Sequence, residues 1–205
     1  MISTDREDGI TILRLARSQK ANALTEGMLV DLCAAVTAAD TPALLLTGEG
    51  KVFSAGADLD GMKAGLGGSP AWEALSAAIA AYPGLTIAAL NGTLAGGAMG
   101  MALACDLRIA VPAAQFFYPV MRLGYRPQPS DPARLAALVG PSRAGMILLA
   151  GQRIGAEEAL AWGLIDRIVA PETLIDSAKA LAADAVAADQ GHLHALKRMT
   201  KGERP

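Results

Sequence analysis

At 205 residues the chain has the length of one ordinary domain, able to bury a core without disulfide or metal staples. It is 52% hydrophobic but only 4% aromatic, which points to alanine-rich helices packed closely on an apolar partner rather than to an aromatic-rich β-sandwich. A net charge of −2 removes the electrostatic case for binding nucleic acid or an anionic membrane, and Cys33 and Cys105 lack any metal-ligand or disulfide-framework spacing, so no metal site and two reduced, packed thiols are expected.

Residues 1–8 are polar and charged, unlike a targeting signal, and no run of about 20 apolar residues occurs that would cross a membrane. A soluble, cytoplasmic protein is the default expectation. Ile10, Ile12, Leu13 and Leu15 alternate with polar residues as a half-buried strand would. A loop over residues 17–22 leads to Thr25, which reads as the N-cap of a helix carrying Met28, Leu29, Leu32, Ala35 and Val36 at helical spacing up to Asp40. Residues 43–46 read as a buried strand. Strand, helix, strand is the order of a parallel α/β unit.

Residues 53–58 (Phe-Ser-Ala-Gly-Ala-Asp) predict a short strand running into a loop or helix start, and the glycine-rich stretch 61–69 reads as mobile. Pro70 opens a helix to about Tyr82, and residues 85–90 form another buried strand. Small residues at 95–104 predict a closely packed helix, followed by a strand at 106–110. The remainder reads as helices at about 131–139, 142–149 and 156–162, a strand at 165–169, and helices at 171–188 and 191–200.

Two segments stand out chemically. In Ser54-Ala55-Gly56-Ala57-Asp58, small side chains let a ligand reach the backbone, and Asp58 can accept from local amides at a helix start. In residues 92–102, Gly96, Gly97, Ala98 and Gly100 would leave the first turn of a buried helix open, with unpaired amides suited to an oxyanion. Each segment alone fits tight helix packing better than a ligand site. A third, residues 118–131, is unusually polar and proline-rich: Tyr118, Tyr125, Arg122 and Arg126 can bind a carboxylate or donate a proton, and Asp131 is the nearest acid. Asp131 before Pro132 also reads as a helix N-cap, and the arginines as surface residues. Asp60 and Glu73 fit solvated helix faces, and His192 and His194, two residues apart, point to different sides of a helix.

Taken together, Asn22-Ala23-Leu24-Thr25, Phe53-Ser54-Ala55-Gly56-Ala57-Asp58-Leu59, Asn91-Gly92 with Gly96-Gly97-Ala98, Ala104-Cys105-Asp106-Leu107-Arg108-Ile109-Ala110, Ala114-Gln115-Phe116 and Gly151-Gln152-Arg153-Ile154 resemble the crotonase (enoyl-CoA hydratase/isomerase) superfamily in order and spacing. The resemblance implies an α/β fold with a spiral core of repeated β-β-α turns, over residues 1–140, and a helical, shortened C-terminal region over 141–205. It implies that the amides of Ala57 and Gly97 form an oxyanion hole for an acyl-CoA thioester. Coenzyme A enters as part of the substrate, with no permanently bound cofactor, and Arg17, Lys20, Ala55, Ala57 and Lys63 are its expected contacts. A homo-oligomer, a trimer or dimer of trimers, is implied as well.

The resemblance also places the two glutamates of the hydratases at Gly100 and Val120, and neither residue moves a proton. Family members commonly carry a further helical segment over the CoA site, whereas here residues 191–200 are the last helix and 201–205 a charged tail. Three functions follow as expectations. The first is an enzyme stabilising a thioester enolate or oxyanion with non-standard proton-transfer groups, for instance a malonyl-type decarboxylase or thioester hydrolase, with Tyr118, Tyr125 and Asp131 as candidates. The second is a non-catalytic acyl-CoA binder, and the third a structural subunit.

Overall fold

A computed structural model describes residues 1–202. The first half contains β1 (Ile2–Glu7), β2 (Ile10–Leu15), α1 (Glu26–Ala38), β3 (Ala43–Gly48), β4 (Val52–Ser54), α2 (Leu59–Lys63), α3 (Ala71–Ala81), β5 (Leu85–Leu90), β6 (Thr93–Ala95) and α4 (Met99–Ala104). Then come β7 (Leu107–Ala110), β8 (Gln115–Phe117), α5 (Val120–Leu123), α6 (Asp131–Val139) and α7 (Pro141–Leu148). Last are β9 (Ile154–Gly155), α8 (Ala156–Trp162), β10 (Arg167–Ile168), α9 (Leu174–Ala187) and α10 (Gln190–Thr200).

The strands form a six-stranded sheet, β1-β2-β3-β5-β7-β10, and a four-stranded sheet, β4-β6-β8-β9. From β2 to β10 the larger sheet is parallel, as are β4, β6 and β8 in the smaller. The chain therefore advances as a spiral. Each turn lays one strand in the large sheet and the next in the small one before a helix carries it back, as β3 and β4 precede α2 and α3, and β5 and β6 precede α4. Continuous apolar runs in β3 and β5 suit this arrangement, because strands covered on both faces lose the alternation of an exposed sheet.

The same covering changes the reading of β2. Its alternation predicts one wet face, yet α9 lies across β2, β3, β5 and β7, and Thr11 in β2 is buried with its amide donating to Thr41 Oγ1 at 3.1 Å. The polar residues ahead of β2 are a strand as well. Asp8 and Gly9, with φ of 49° and 75°, make a two-residue left-handed turn that pairs β1 antiparallel with β2, a hairpin signal present in the Asp-Gly dipeptide.

The expected helix at 95–104 is split. β6 ends at Ala95, Gly96 takes φ of 56°, and a single 3₁₀ turn over Gly96–Ala98 precedes the short α4. The stretch 61–69 holds the end of α2 and a 3₁₀ turn, Leu66–Gly68, with Leu66 buried. α1 begins where the cap predicts, Thr25 accepting from the Met28 amide. Both cysteines are free thiols, and burial pushes the Cys105 thiol up to about 12. Among the described residues no helix is long and apolar enough to cross a membrane, and no cluster of His, Cys, Asp or Glu could hold a metal ion. Of the charged tail, residues 203–205 lie outside the described residues.

Candidate active site

The site begins at Asn22, a wholly buried polar residue held at φ of 51°. Its side-chain Nδ2 donates to the Glu49 and Val52 carbonyls at 3.0 and 2.8 Å, and its side-chain oxygen accepts from the Arg17 amide at 2.9 Å. With Asn22 so fixed, its own carbonyl accepts from Ser54 Oγ at 2.8 Å, and the Ala55 amide reaches the Ala21 carbonyl at 2.9 Å. These bonds align residues 55–58 beside residues 21–24.

That alignment decides where the Ala57 amide points. Leu24 donates to the Gly56 carbonyl and accepts from the Asp58 amide, both at 2.8 Å, so the isolated parallel bridge between Leu24 and Ala57 uses the peptide groups on either side of Ala57. In a parallel ladder the residue skipped in this way turns its own N–H and C=O to the opposite side. Asp58 then starts α2 by accepting from the Asp60 and Gly61 amides, both at 3.1 Å. The Arg17 guanidinium donates to Asp58 at 2.7 Å and to the Ala23 carbonyl at 2.8 Å. The Arg17 bond, followed by that from the Gly61 amide, holds the Asp58 carboxyl below the usual carboxylate range.

Gly56 joins this loop to the second segment. It has φ of 95°, and a Cβ there would stand 2.9 Å from the Ala95 carbonyl oxygen, so only glycine lets the two backbones touch. Immediately beyond that contact comes Gly97, in the 3₁₀ turn before α4. Neither the Ala57 nor the Gly97 amide donates to an acceptor among the described residues.

Both residues line one cavity of about 170 Å³, together with Ala55, Leu59, Met62, Trp72, Phe117, Tyr118, Val120 and Tyr125. Its walls are mainly apolar, and its volume suits an acyl group rather than a nucleotide. Trp72 is a wall that sequence reasoning did not find. Its indole donates to the Leu66 carbonyl at 2.9 Å, and its ring lies 3.1 Å from where a Cβ on Gly97 would be. No motif signals this, since the contact joins α3 to a turn far along the chain.

The structure brings Tyr118 and Asp131 together. The Tyr118 hydroxyl donates to Asp131 Oδ2 at 2.9 Å. Asp131 does not cap α6, as its place before Pro132 suggests: Ser130 is the N-cap position, and Asp131 is the first helical residue, 1% exposed, with its carboxyl turned inward. The N-terminus of α6 is met instead by Glu73, which accepts from the Ser130 amide and hydroxyl at 3.2 and 3.0 Å. Burial, partly offset by the Tyr118 hydrogen bond and the charge of Arg134, pushes the Asp131 carboxyl up to about 6. Burial, then the neighbouring Asp131, raises the Tyr118 phenol.

Tyr125 and Arg126 line the exposed rim of the cavity, whereas Arg122 does not line it. Val120 lines it and is apolar. Lys20 is exposed, Lys63 is exposed and paired with Asp60 at 3.0 Å, and Arg17 is committed to the loop bonds described above. His192 and His194 lie on α10 and line no part of this cavity.

The family model for enoyl-CoA hydratase/isomerase matches residues 5–203. The chain is 34% identical over 184 residues to 4-chlorobenzoyl coenzyme A dehalogenase-2 of Arthrobacter sp, covering 82% of this chain and 65% of that protein. It is 36% identical over 192 residues to crotonyl-CoA hydratase of Syntrophomonas wolfei, covering 88% and 74%. The crystal structure of an enoyl-CoA hydratase from Bacillus anthracis superposes with a TM-score of 0.91 at 28% identity, covering 98% of this chain and 82% of that one. The chain thus spans just under two thirds of the length of the dehalogenase.

Proposed function

We propose that this chain, which belongs to the enoyl-CoA hydratase/isomerase family, binds an acyl-CoA thioester with its carbonyl oxygen between the amides of Ala57 and Gly97 and stabilises the enolate or oxyanion formed there. The observation that carries this reading is that Ala57 and Gly97, whose amides donate to no acceptor among the described residues, line the same acyl-sized apolar cavity. Backbone donors fixed by folding need no reorganisation when negative charge develops, and each contributes about 3 to 4 kcal/mol to such a transition state. The apolar walls strengthen that interaction by excluding water.

Family membership does not name the reaction, since the relatives include a hydratase and a dehalogenase. The coenzyme portion runs outward past Ala55, the exposed small residue at the cavity edge, because the cavity itself has no room for it. Lys20, exposed, and Lys63, exposed and paired with Asp60, are the candidate cations for its phosphates.

Isothermal titration with butyryl-CoA, and with free CoA as the control, tests the binding claim. The thioester is expected to bind more tightly than CoA by at least about tenfold, the equivalent of one good hydrogen-bonded contact. Equal affinities would remove the acyl site from the account.

A further inference from the structure

Gly100 is the second residue of α4, and the space beside its Cα is filled from elsewhere. A Cβ at this position would stand 2.7 Å from Asp131 Oδ1 and 3.2 Å from Oδ2, so the carboxyl of Asp131 occupies the volume a side chain at position 100 would need. Among the described residues Asp131 Oδ1 has no hydrogen-bond partner, while Oδ2 accepts from Tyr118, which lines the acyl cavity. A buried acid with one oxygen idle is costly to keep, and the fold holds it in place through the Glu73–Ser130 contact at the start of its helix.

We propose that Tyr118 and Asp131 form the proton-transfer dyad of this site, Tyr118 meeting the α-carbon of the bound acyl group and Asp131 holding the proton behind it, in the space that Gly100 leaves. The proposal rests on the acyl-CoA reading above. In the step, the α-carbon–hydrogen bond breaks and its proton passes to the Tyr118 oxygen as the Tyr118 proton passes to the Asp131 carboxylate. The electron pair of the broken bond becomes the enolate, its charge on the thioester oxygen at Ala57 and Gly97. The reverse step returns a proton to carbon and leaves Asp131 ionised again. No oxidant or further reactant is needed. Because the phenol is held well into its protonated form, the tyrosine works as a relay and not as a standing phenolate.

The charged and titratable groups around Asp131 are the Tyr118 hydroxyl ahead of α5, Glu73 on α3 and Arg134 on α6 itself; α4 presents only Gly100 and apolar neighbours. The ionised form of Asp131 accepts the proton, so removal of an α-proton rises with pH through about 6 and then levels.

The test follows deuterium entering the α-position of butyryl-CoA in D₂O by NMR, across pH, in the full chain and in the variants Y118F and D131N. Butyryl-CoA binding by calorimetry is measured in each. The expected result is exchange with a rising limb near pH 6, slower by about 100-fold or more in both variants while binding persists. Y118F removes a single oxygen and keeps the ring, so a folding defect in D131N leaves the test intact. Binding without exchange in the unaltered chain, or exchange in either variant within a few-fold of it, overturns the dyad and leaves the acyl-CoA reading standing. Absence of butyryl-CoA binding by the unaltered chain overturns both.

Discussion

Replacing Gly97 by valine is expected to slow α-deuteration of butyryl-CoA by about 10² to 10³, the loss that follows from misplacing one oxyanion donor. The reason is steric. Gly97 does not have a left-handed φ, so its backbone accepts any L-residue, but a Cβ there meets three ring atoms of Trp72 at 3.1 to 3.2 Å. Trp72 is 4% exposed and tethered through its indole to Leu66, so the ring does not swing aside. The turn carrying the Gly97 amide must move instead. Gly97→Ala, which adds the Cβ alone, is expected to give a smaller loss in the same direction, and thermal unfolding of both variants checks that the core survives. A valine variant that folds and exchanges at the unaltered rate would show that the Gly97 amide carries no catalytic charge.

The second large effect is on stability, and its sign is opposite to that of most substitutions at buried positions. Asp131→Asn is expected to raise stability by up to about 3 kcal/mol at pH 8. In the folded chain the carboxyl is held at about 6, against 3.8 for an ordinary aspartate. The folded state therefore binds this proton more tightly than the unfolded one. That contribution is complete below the unfolded value and is lost as pH rises through about 6, leaving a buried carboxylate with only one of its oxygens bonded. Asparagine keeps the shape without the charge, so its advantage is absent at pH 4, grows as pH rises from there to about 6, and is level above that. Urea unfolding of both proteins at pH 4 and pH 8 measures the difference. A variant less stable than the parent at pH 8 would mean that the carboxylate is well compensated, and the case for an acid held there at a cost would fail.

Local chemistry announced much of the fold. Thr25 is a cap because its side chain serves Met28, and the apolar runs of β3 and β5 read as buried strands because they are. What escaped were features set by distant neighbours. The polar segment at the start is a strand because Asp8-Gly9 folds it onto β2, and β2 lost its wet face to α9, more than 150 residues later. The helix expected at 95–104 broke at Gly96, whose left-handed φ lets β6 and Gly56 touch before the chain turns.

The site divides in the same way. Ala57 and Gly97 were legible as paired small-residue segments, since close backbone approach demands small side chains in sequence. Tyr118 and Asp131 were legible only as members of a polar stretch. That they meet, and that they meet over Gly100, depends on α6 packing against α4 and on Glu73 taking the capping role that Asp131 left. Trp72 had no sequence signal, because an apolar helix face hides which of its residues borders a cavity.

The central claim is that the Ala57 and Gly97 amides hold the thioester oxygen, and infrared difference spectroscopy of bound butyryl-CoA, carbon-13 labelled at the carbonyl, observes that oxygen directly. Two hydrogen bonds to it weaken the carbonyl bond, so the labelled band is expected to move to lower frequency on binding and to move back in the Gly97→Val variant. A carbonyl band that binding leaves at its solution frequency, with the coenzyme bound, would contradict the account.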